Sequence, residues 1–257
     1  MNREPRAWLA EMFGSVQGEG PLLGVRQIFV RFQGCHRRCA FCDTAAARGQ
    51  RRPAYFSFAP AAGQYGARRR PNPVRPADLV RLCAELDEPR GGLHSISLTG
   101  GEPLRQAAFL RATLPRLRRC GWKIHLETAG DRVRELARVL PWVDYMAMDI
   151  KLPSVAGGRG RWLAHRRFLE RCVRAGCATA VKVVVSRQTR AAEVRRAAEL
   201  VAGVAPRVTL VLQPVTPVGR AAAPRPEQLL RWQALALAAG LRDVRVIPQC
   251  HQRLDLR

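Results

Sequence analysis

Two rhythms of apolar positions alternate along most of this chain. Leu79, Leu82, Cys83 and Leu86 recur at three- and four-residue spacing, which predicts a helix from Asp78 onward. Ser95-Ile96-Ser97-Leu98 reads as a short strand, and Leu110, Leu114 and Leu117 mark a second helix. Proline lacks the backbone donor a helix needs, so a disturbance is expected at Pro115. Further strands are predicted at 123–126, 143–148, 181–185, 208–212 and 244–247. Between them run helical stripes through Trp162, Leu169 and Cys172, through Val194, Ala198 and Val201, and through Leu230, Ala234 and Leu237. Upstream, the apolar run Ile28, Phe29, Val30 and Phe32 adds another strand. Six strands then end in polar residues: Arg31 to Cys35, Thr99, Glu127, Asp149, Ser186 and Gln213. Helices separate most of them, so an α/β fold with a parallel sheet and right-handed crossovers is expected. Ligands of such folds bind at the carboxyl edge of the strands, where these polar residues fall. The segment 45–76 has no regular period and is rich in Arg, Pro, Gly and Ala, which predicts a long irregular loop, a lid by position.

A chain of 257 residues can close one core, and residues 1–257 are read as a single domain. No apolar run approaches the ~20 residues of a membrane span. Met1 to Ala10 lacks the apolar stretch of a secretory signal, so a cytoplasmic location is expected. In that reducing setting clustered cysteines mean metal or catalysis rather than disulfides. Cys83, Cys120, Cys172 and Cys177 fall in apolar or helical patterns and are read as packing residues. The formal charge of +24 invites a nucleic-acid role. Yet Lys123, Lys151 and Lys182 are the only lysines, and the Arg is scattered through an Ala- and Arg-rich chain. That is a compositional trend over exposed faces, and no dedicated nucleic-acid function is assigned, for Arg68-Arg69-Arg70 either.

The candidate chemistry centres on Cys35-His36-Arg37-Arg38-Cys39-Ala40-Phe41-Cys42, three cysteines in a C-x3-C-x2-C spacing. Three thiolates on one tight loop can converge on one metal centre. Zinc and cubane iron–sulfur sites usually take four protein ligands. No fourth cysteine lies nearby, which leaves a position open for chemistry; Cys250 in the tail is the one candidate to close it. The bland alternative is three free thiols packed as small hydrophobes. Upstream lies the Gly-rich stretch Glu11 to Gly20, read as a flexible polar loop in which Gln17 offers an amide to a heterocycle edge. Arg31, a planar guanidinium, suits a carboxylate. Asp43-Thr44 either cap a following helix or place oxygens for Mg²⁺, or both. Thr99-Gly100-Gly101-Glu102-Pro103 leaves backbone groups bare between a strand and a helix. His125 alternates with apolar neighbours and is read as a core histidine.

The cysteine spacing together with T-G-G-E-P resembles the radical S-adenosylmethionine (SAM) superfamily. The run E-x-F-x-S-x-Q-G-E-G with the downstream R-x-x-G-C resembles, within it, the 7-carboxy-7-deazaguanine synthase family of queuosine biosynthesis. The resemblance implies a partial (β/α)6 barrel. It implies a [4Fe-4S] cluster on Cys35, Cys39 and Cys42, SAM on the open iron, and Mg²⁺ at Thr44. For SAM it implies contacts from Phe41, Asp43, Gly101, Glu102, Asp149, Ile150 and Lys151, although many members carry Ser-Pro-Lys at the last three. It adds Gln213, Pro214, Val215 and Thr216, and Glu127 as either a SAM contact or a structural residue. For the substrate it implies Val16, Gln17, Gly18, Arg31, Thr99, His251 and the carboxylate of Arg257. No side chain is assigned as catalytic, because the radical is carried by SAM. The implied reaction converts 6-carboxy-5,6,7,8-tetrahydropterin, a small pterin, to 7-carboxy-7-deazaguanine with loss of ammonia. The implied partners are a flavodoxin or ferredoxin as reductant and a second copy in a homodimer. The rivals are another radical SAM reaction of the glycyl-radical activase type and a metal-containing RNA-binding module. S-x-Q-G-E-G and the His-bearing tail speak against the first.

Overall fold

The computed structural model describes residues 4–49, 51–61, 64–87, 92–217 and 221–256. The strands in chain order are β1 (Leu9–Val16), β2 (Arg26–Phe32), β3 (Ala54–Ala61), β4 (Gln64–Pro71), β5 (Ser95–Gly100), β6 (Ile124–Thr128), β7 (Tyr145–Asp149), β8 (Ala178–Val185), β9 (Thr209–Pro214) and β10 (Val244–Val246). Between and after them run α1 (Pro76–Leu86), α2 (Ala107–Arg119), α3 (Val133–Leu136), α4 (Pro153–Ala156), α5 (Trp162–Arg174), α6 (Ala191–Ala202), α7 (Pro226–Ala238) and α8 (Cys250–Arg253). The described strands form one sheet in the order β10-β9-β8-β7-β6-β5-β2-β1-β3-β4. From β2 through β5 to β10 every neighbouring pair is parallel. Right-handed crossovers of a parallel sheet put the helices on one face and bring all the strand ends to one rim, the partial barrel of the α/β class.

The helices earn their places through one apolar stripe each. α1 buries Leu79, Leu82, Cys83 and Leu86 against α2, and α2 buries Phe109, Leu110, Leu114 and Leu117. α2 runs unbroken through Pro115, against expectation. One lost backbone bond is outweighed by four large side chains in the core, each worth about 1.5–3 kcal/mol. The crossover between β6 and β7 is trimmed, because α3 is a single four-residue turn.

Two sequence expectations are corrected. Glu11 to Val16 is not a loop but part of β1, antiparallel to β2 with Gly14 opposite Ile28. Phe13 of β1 stacks on Phe29 of β2 at 5.1 Å, so the strand is held by side-chain packing that its polar and glycine positions concealed. The segment 45–76 is not structureless either: it begins with a 3-10 turn (Ala45–Arg48), forms the β3–β4 hairpin and enters α1 at Pro76. Tyr55 and Ser57 of β3 are buried, while Arg68 and Arg69 of β4 stand exposed on the sheet edge. Charged side chains on an edge strand block further pairing, and they also hide the strand from a hydrophobicity pattern. Arg70 ties the hairpin to α1 through Glu85 at 2.6 Å.

Candidate active site

The rim of the parallel sheet opens into one cleft, and the three-cysteine loop forms its wall. β2 ends at Phe32, and Gly34 turns the chain with a φ of +89° that suits only glycine. The turn is framed by backbone bonds: Gly34 N–H to Ala47 O at 2.7 Å, Gly101 N–H to Phe32 O at 2.9 Å and Glu102 N–H to Gly34 O at 3.0 Å. Cys35, Cys39 and Cys42 all line the cleft, and all three are free thiols. Burial pushes the Cys35 and Cys39 thiols up, so a bound cation must supply the charge that makes them thiolates. Three soft sulfur donors on one turn suit an iron–sulfur centre. The same cleft holds polar atoms that lack partners within the described residues: Asp149 Oδ1 and Gln213 Oε1 are buried and unbonded. Buried polar atoms without partners are rare in folded chains, and both of these belong to residues that line the cleft. The residues present therefore fit a cluster with SAM beside it. Cys250 aims its thiol at Pro248 O, 3.7 Å away, and does not line the cleft.

Most of the residues expected from the sequence converge here. Phe41, Asp43 and Thr44 line the cleft beside the cysteines, and Thr99 and Gly101 enter it from β5. Glu127, Asp149, Lys151, Gln213 and Val215 line it from the ends of β6, β7 and β9. Val16, Gln17, Gly18, Arg31 and His251 also line it. Lys151 bonds Asp149 at 2.5 Å and lies over the Phe41 ring at 5.0 Å. Arg31 donates from Nε to Glu11 at 2.7 Å. His251 packs so closely on Gly18 that a Cβ there would lie 2.3 Å from its Nδ1. Arg257 lies outside the described residues.

Four expected residues do not line the cleft, and one that does has a different use. Ile150 is fully buried in the core, Pro214 lies outside the cleft, and Thr216 donates to Gln249 Oε1 at 2.7 Å. Glu102 is buried beneath the rim, where it accepts from Leu104 N–H at 3.1 Å, Ala129 N–H at 2.9 Å and Thr128 Oγ1 at 2.7 Å. Burial pushes its carboxyl up against those three donors. It is the brace that joins the turn after β5 to the turn after β6. Gln17 lines the cleft, but its amide is spent inside the protein. Nε2 donates to Gln27 at 3.0 Å and to Glu127 at 3.1 Å, and Oε1 accepts from Glu19 N–H at 3.0 Å. Its side chain therefore sets the loop rather than reading a heterocycle. His125 is 5% exposed and near Gln27, the core histidine expected.

Lys182, Glu19 and Gln249 were not found by sequence reasoning. Lys182 pairs with Glu19 and lies 3.8 Å from Asp149. Gln249 donates to Glu19 and to Asp43, both at 2.8 Å. Oxygens of Glu19 and Asp43 and a ring nitrogen of His251 lie within 4.8 Å of one another, in the cleft that Thr44 also lines. Burial alone would raise the Glu19 carboxyl, yet Lys182 and Gln249 hold it down at about 2. Burial likewise opposes the Lys182 charge, but Glu19, Asp149 and Glu127 raise its pKa above the usual lysine value. One signal was available: Lys182 is a lone lysine in the apolar strand run Ala178 to Val185.

Removing this cation strands buried carboxylates. Lys182→Met is expected to destabilise the fold by about 3–5 kcal/mol, a melting temperature lower by roughly 10 °C. The loss is largest at neutral pH. Glu19 has a depressed pKa, so its contribution is full above about 4.5, the ordinary glutamate value, and fades as pH falls towards about 2. Melting curves of both proteins between pH 7 and pH 3 check this, and a gap that fails to narrow in acid contradicts the pairing.

Comparison with known proteins agrees with this geometry. The Radical SAM superfamily profile matches residues 29–201. A 7-carboxy-7-deazaguanine synthase of Geobacter sulfurreducens is 40% identical, with 97% of both chains covered. Another so named, from Thermococcus kodakarensis, is 34% identical over 98% of this chain and 99% of its own. A crystal structure of QueE from Escherichia coli superposes with a TM-score of 0.61 over 96% of this chain and 95% of that one, at 21% identity, a likeness of fold. The chain belongs to the 7-carboxy-7-deazaguanine synthase family of the radical SAM superfamily.

Proposed function

We propose that this protein converts 6-carboxy-5,6,7,8-tetrahydropterin to 7-carboxy-7-deazaguanine with loss of ammonia. The observation that carries the reading is the meeting, in one cleft, of the three-cysteine loop with a second set of polar groups. Cys35, Cys39 and Cys42 would hold a [4Fe-4S] cluster, and with SAM that cluster would supply the radical chemistry. The chain's own work is to bind, orient and exclude water. Arg31, with Nε committed to Glu11, keeps the rest of its guanidinium for the substrate carboxylate. Thr44 and Asp43 offer hard oxygens to Mg²⁺ at that carboxylate. Gly101 leaves the backbone bare for SAM, and the unpartnered oxygens of Asp149 and Gln213 accept from it. Lys182, paired with Glu19 and 3.8 Å from Asp149, sets the charge at the rim of the cleft and fixes the Glu19 carboxylate there.

The whole chain acts as one domain, with the β3–β4 hairpin as part of its sheet. No helix among the described residues is long and apolar enough to cross a membrane. We assign the enzyme to the cytoplasm, as a homodimer reduced by a flavodoxin or ferredoxin. The test incubates reconstituted protein with SAM, a chemical reductant and the carboxypterin. The expected product is 7-carboxy-7-deazaguanine, with SAM not consumed in proportion. Formation of 5′-deoxyadenosine without a deazapurine would leave the superfamily standing and overturn the substrate.

A further inference from the structure

Asp131 follows directly on Glu127-Thr128-Ala129-Gly130 at the end of β6, and nothing above gives it a task. Its side chain is 0% exposed. His36 Nε2 lies 2.9 and 3.1 Å from its two oxygens, Arg37 Nη2 at 2.7 Å and Arg161 Nη1 at 3.5 Å. His36 and Arg37 stand between the first two cysteines of the metal loop. Burial opposes a carboxylate there, yet the hydrogen bond and charge of His36 and the charge of Arg37 hold Asp131 at about 2.

The carboxylate is itself fixed from behind. Gly130 has a φ of +63°, and a Cβ there would lie 2.5 Å from Met148 Cγ. The Gly130 carbonyl meets His165 Nδ1 at 2.9 Å, and Ala129 N–H is held by Glu102 at 2.9 Å. The cysteine loop has much less of its own. No helix or strand covers 35–42. Among the described residues, Arg37 N–H bonds Cys35 Sγ at 3.3 Å and Cys42 N–H bonds Cys39 O at 3.3 Å within the loop, and Arg48 reaches Cys39 O at 3.2 Å. A loop so lightly tied loses conformational entropy when it closes on a metal. A rigid buried anion gripping two of its side chains settles that cost during folding.

We propose that Asp131 is a positioning residue for the metal centre: through His36 and Arg37 it clamps the Cys35–Cys39 segment in the shape that presents the sulfurs. The proposal rests on the reading of Cys35, Cys39 and Cys42 as cluster ligands. Partners that orient metal ligands are worth about 10–100-fold in metal affinity, which sets the expected size.

The test compares Asp131→Asn with the parent in two forms. In metal-free protein, alkylation of each cysteine is followed by peptide mass spectrometry. Cys35 and Cys39 should react about tenfold faster, with Cys250 and Cys120 unchanged. In reconstituted protein, iron should pass to a chelator about tenfold faster, and the electron paramagnetic resonance (EPR) signal of the reduced cluster should broaden. His36→Gln, which loosens the clamp without stranding a buried charge, should give the same Cys35- and Cys39-selective rise, and it keeps the proposal open to refutation if Asp131→Asn does not fold. Arg161→Ala, at a side chain 54% exposed and 3.5 Å from Asp131, should leave both readouts near the parent's. Unchanged alkylation and iron loss in Asp131→Asn would overturn the clamp. So would an equal rise at all cysteines with a lowered melting temperature, which is general loosening. A colourless parent holding zinc would overturn the proposed function, while the alkylation arm would still decide the clamp.

Discussion

Cys39→Ala protein is expected to purify without a stable cluster and to show no detectable turnover, whereas Cys83→Ala protein is expected to keep both. The two cysteines share a chemistry and are separated by their surroundings. Cys39 faces the cleft beside Cys35 and Cys42, with Lys151 among its charged neighbours. Cys83 is 0% exposed inside the stripe of α1, where burial pushes its thiol far up and away from the thiolate that metals bind. Removing the Cys83 sulfur opens a small cavity worth about 1 kcal/mol and no more. With two protein ligands left, a cubane is exposed at a second corner and lost to solvent. Iron and sulfide analysis with the absorbance near ~400 nm reads the difference. Equal loss of colour in both variants would contradict the ligand assignment.

Gly101→Ala is expected to reduce turnover by about 10²-fold, the effect that a misplacement of about 1 Å can have on a reacting geometry. A Cβ at Gly101 would lie 2.4 Å from the Gly34 carbonyl oxygen, 2.7 Å from the Gly34 carbonyl carbon and 3.2 Å from Ala47 O. These are backbone atoms, so no rotamer relieves the collision. Gly34 is the turn into the cysteine loop and is bonded to Ala47, so the strain passes straight to the three cysteines. Gly66→Ala, on the exposed β4 edge with nothing within 4 Å, is expected to match the parent. SAM affinity by equilibrium dialysis and turnover would be read together. Full SAM affinity and turnover in Gly101→Ala would mean that the close approach of the two turns has no bearing on the site.

The parallel half of this fold is written plainly in the chain. Each strand from β5 to β9 is a largely apolar run with a polar residue at its end or next to it, and the rim of the sheet collects those residues. The cysteine loop needs no tertiary context either, since its three cysteines are local in sequence. What stayed hidden depends on contacts between distant segments. β1 carries Glu11, Gly14 and Ser15 among its apolar residues and becomes a strand by stacking Phe13 on Phe29. The β3–β4 hairpin turns arginines to solvent, which erases the alternation that reveals a strand. Gln17 and Glu102 were read as reaching for ligands because their motifs occur at ligand sites. Their oxygens and nitrogens are instead taken up by Gln27, Glu127, Thr128 and Ala129, residues that no local pattern places beside them. Lys182, Glu19 and Asp131 were overlooked for the same reason: their partners lie at least 20 positions away in most cases and become neighbours only when the rim closes.

One measurement bears most directly on the open metal position. The reduced, reconstituted protein is examined by EPR before and after addition of SAM. A cubane held by Cys35, Cys39 and Cys42 alone has one iron free to take SAM, so the g-values should shift on addition and the shift should saturate with one SAM per chain. A signal that SAM leaves unchanged, from a protein with its full complement of iron and sulfide, would mean that the fourth iron is already capped and that the cleft is not arranged as described.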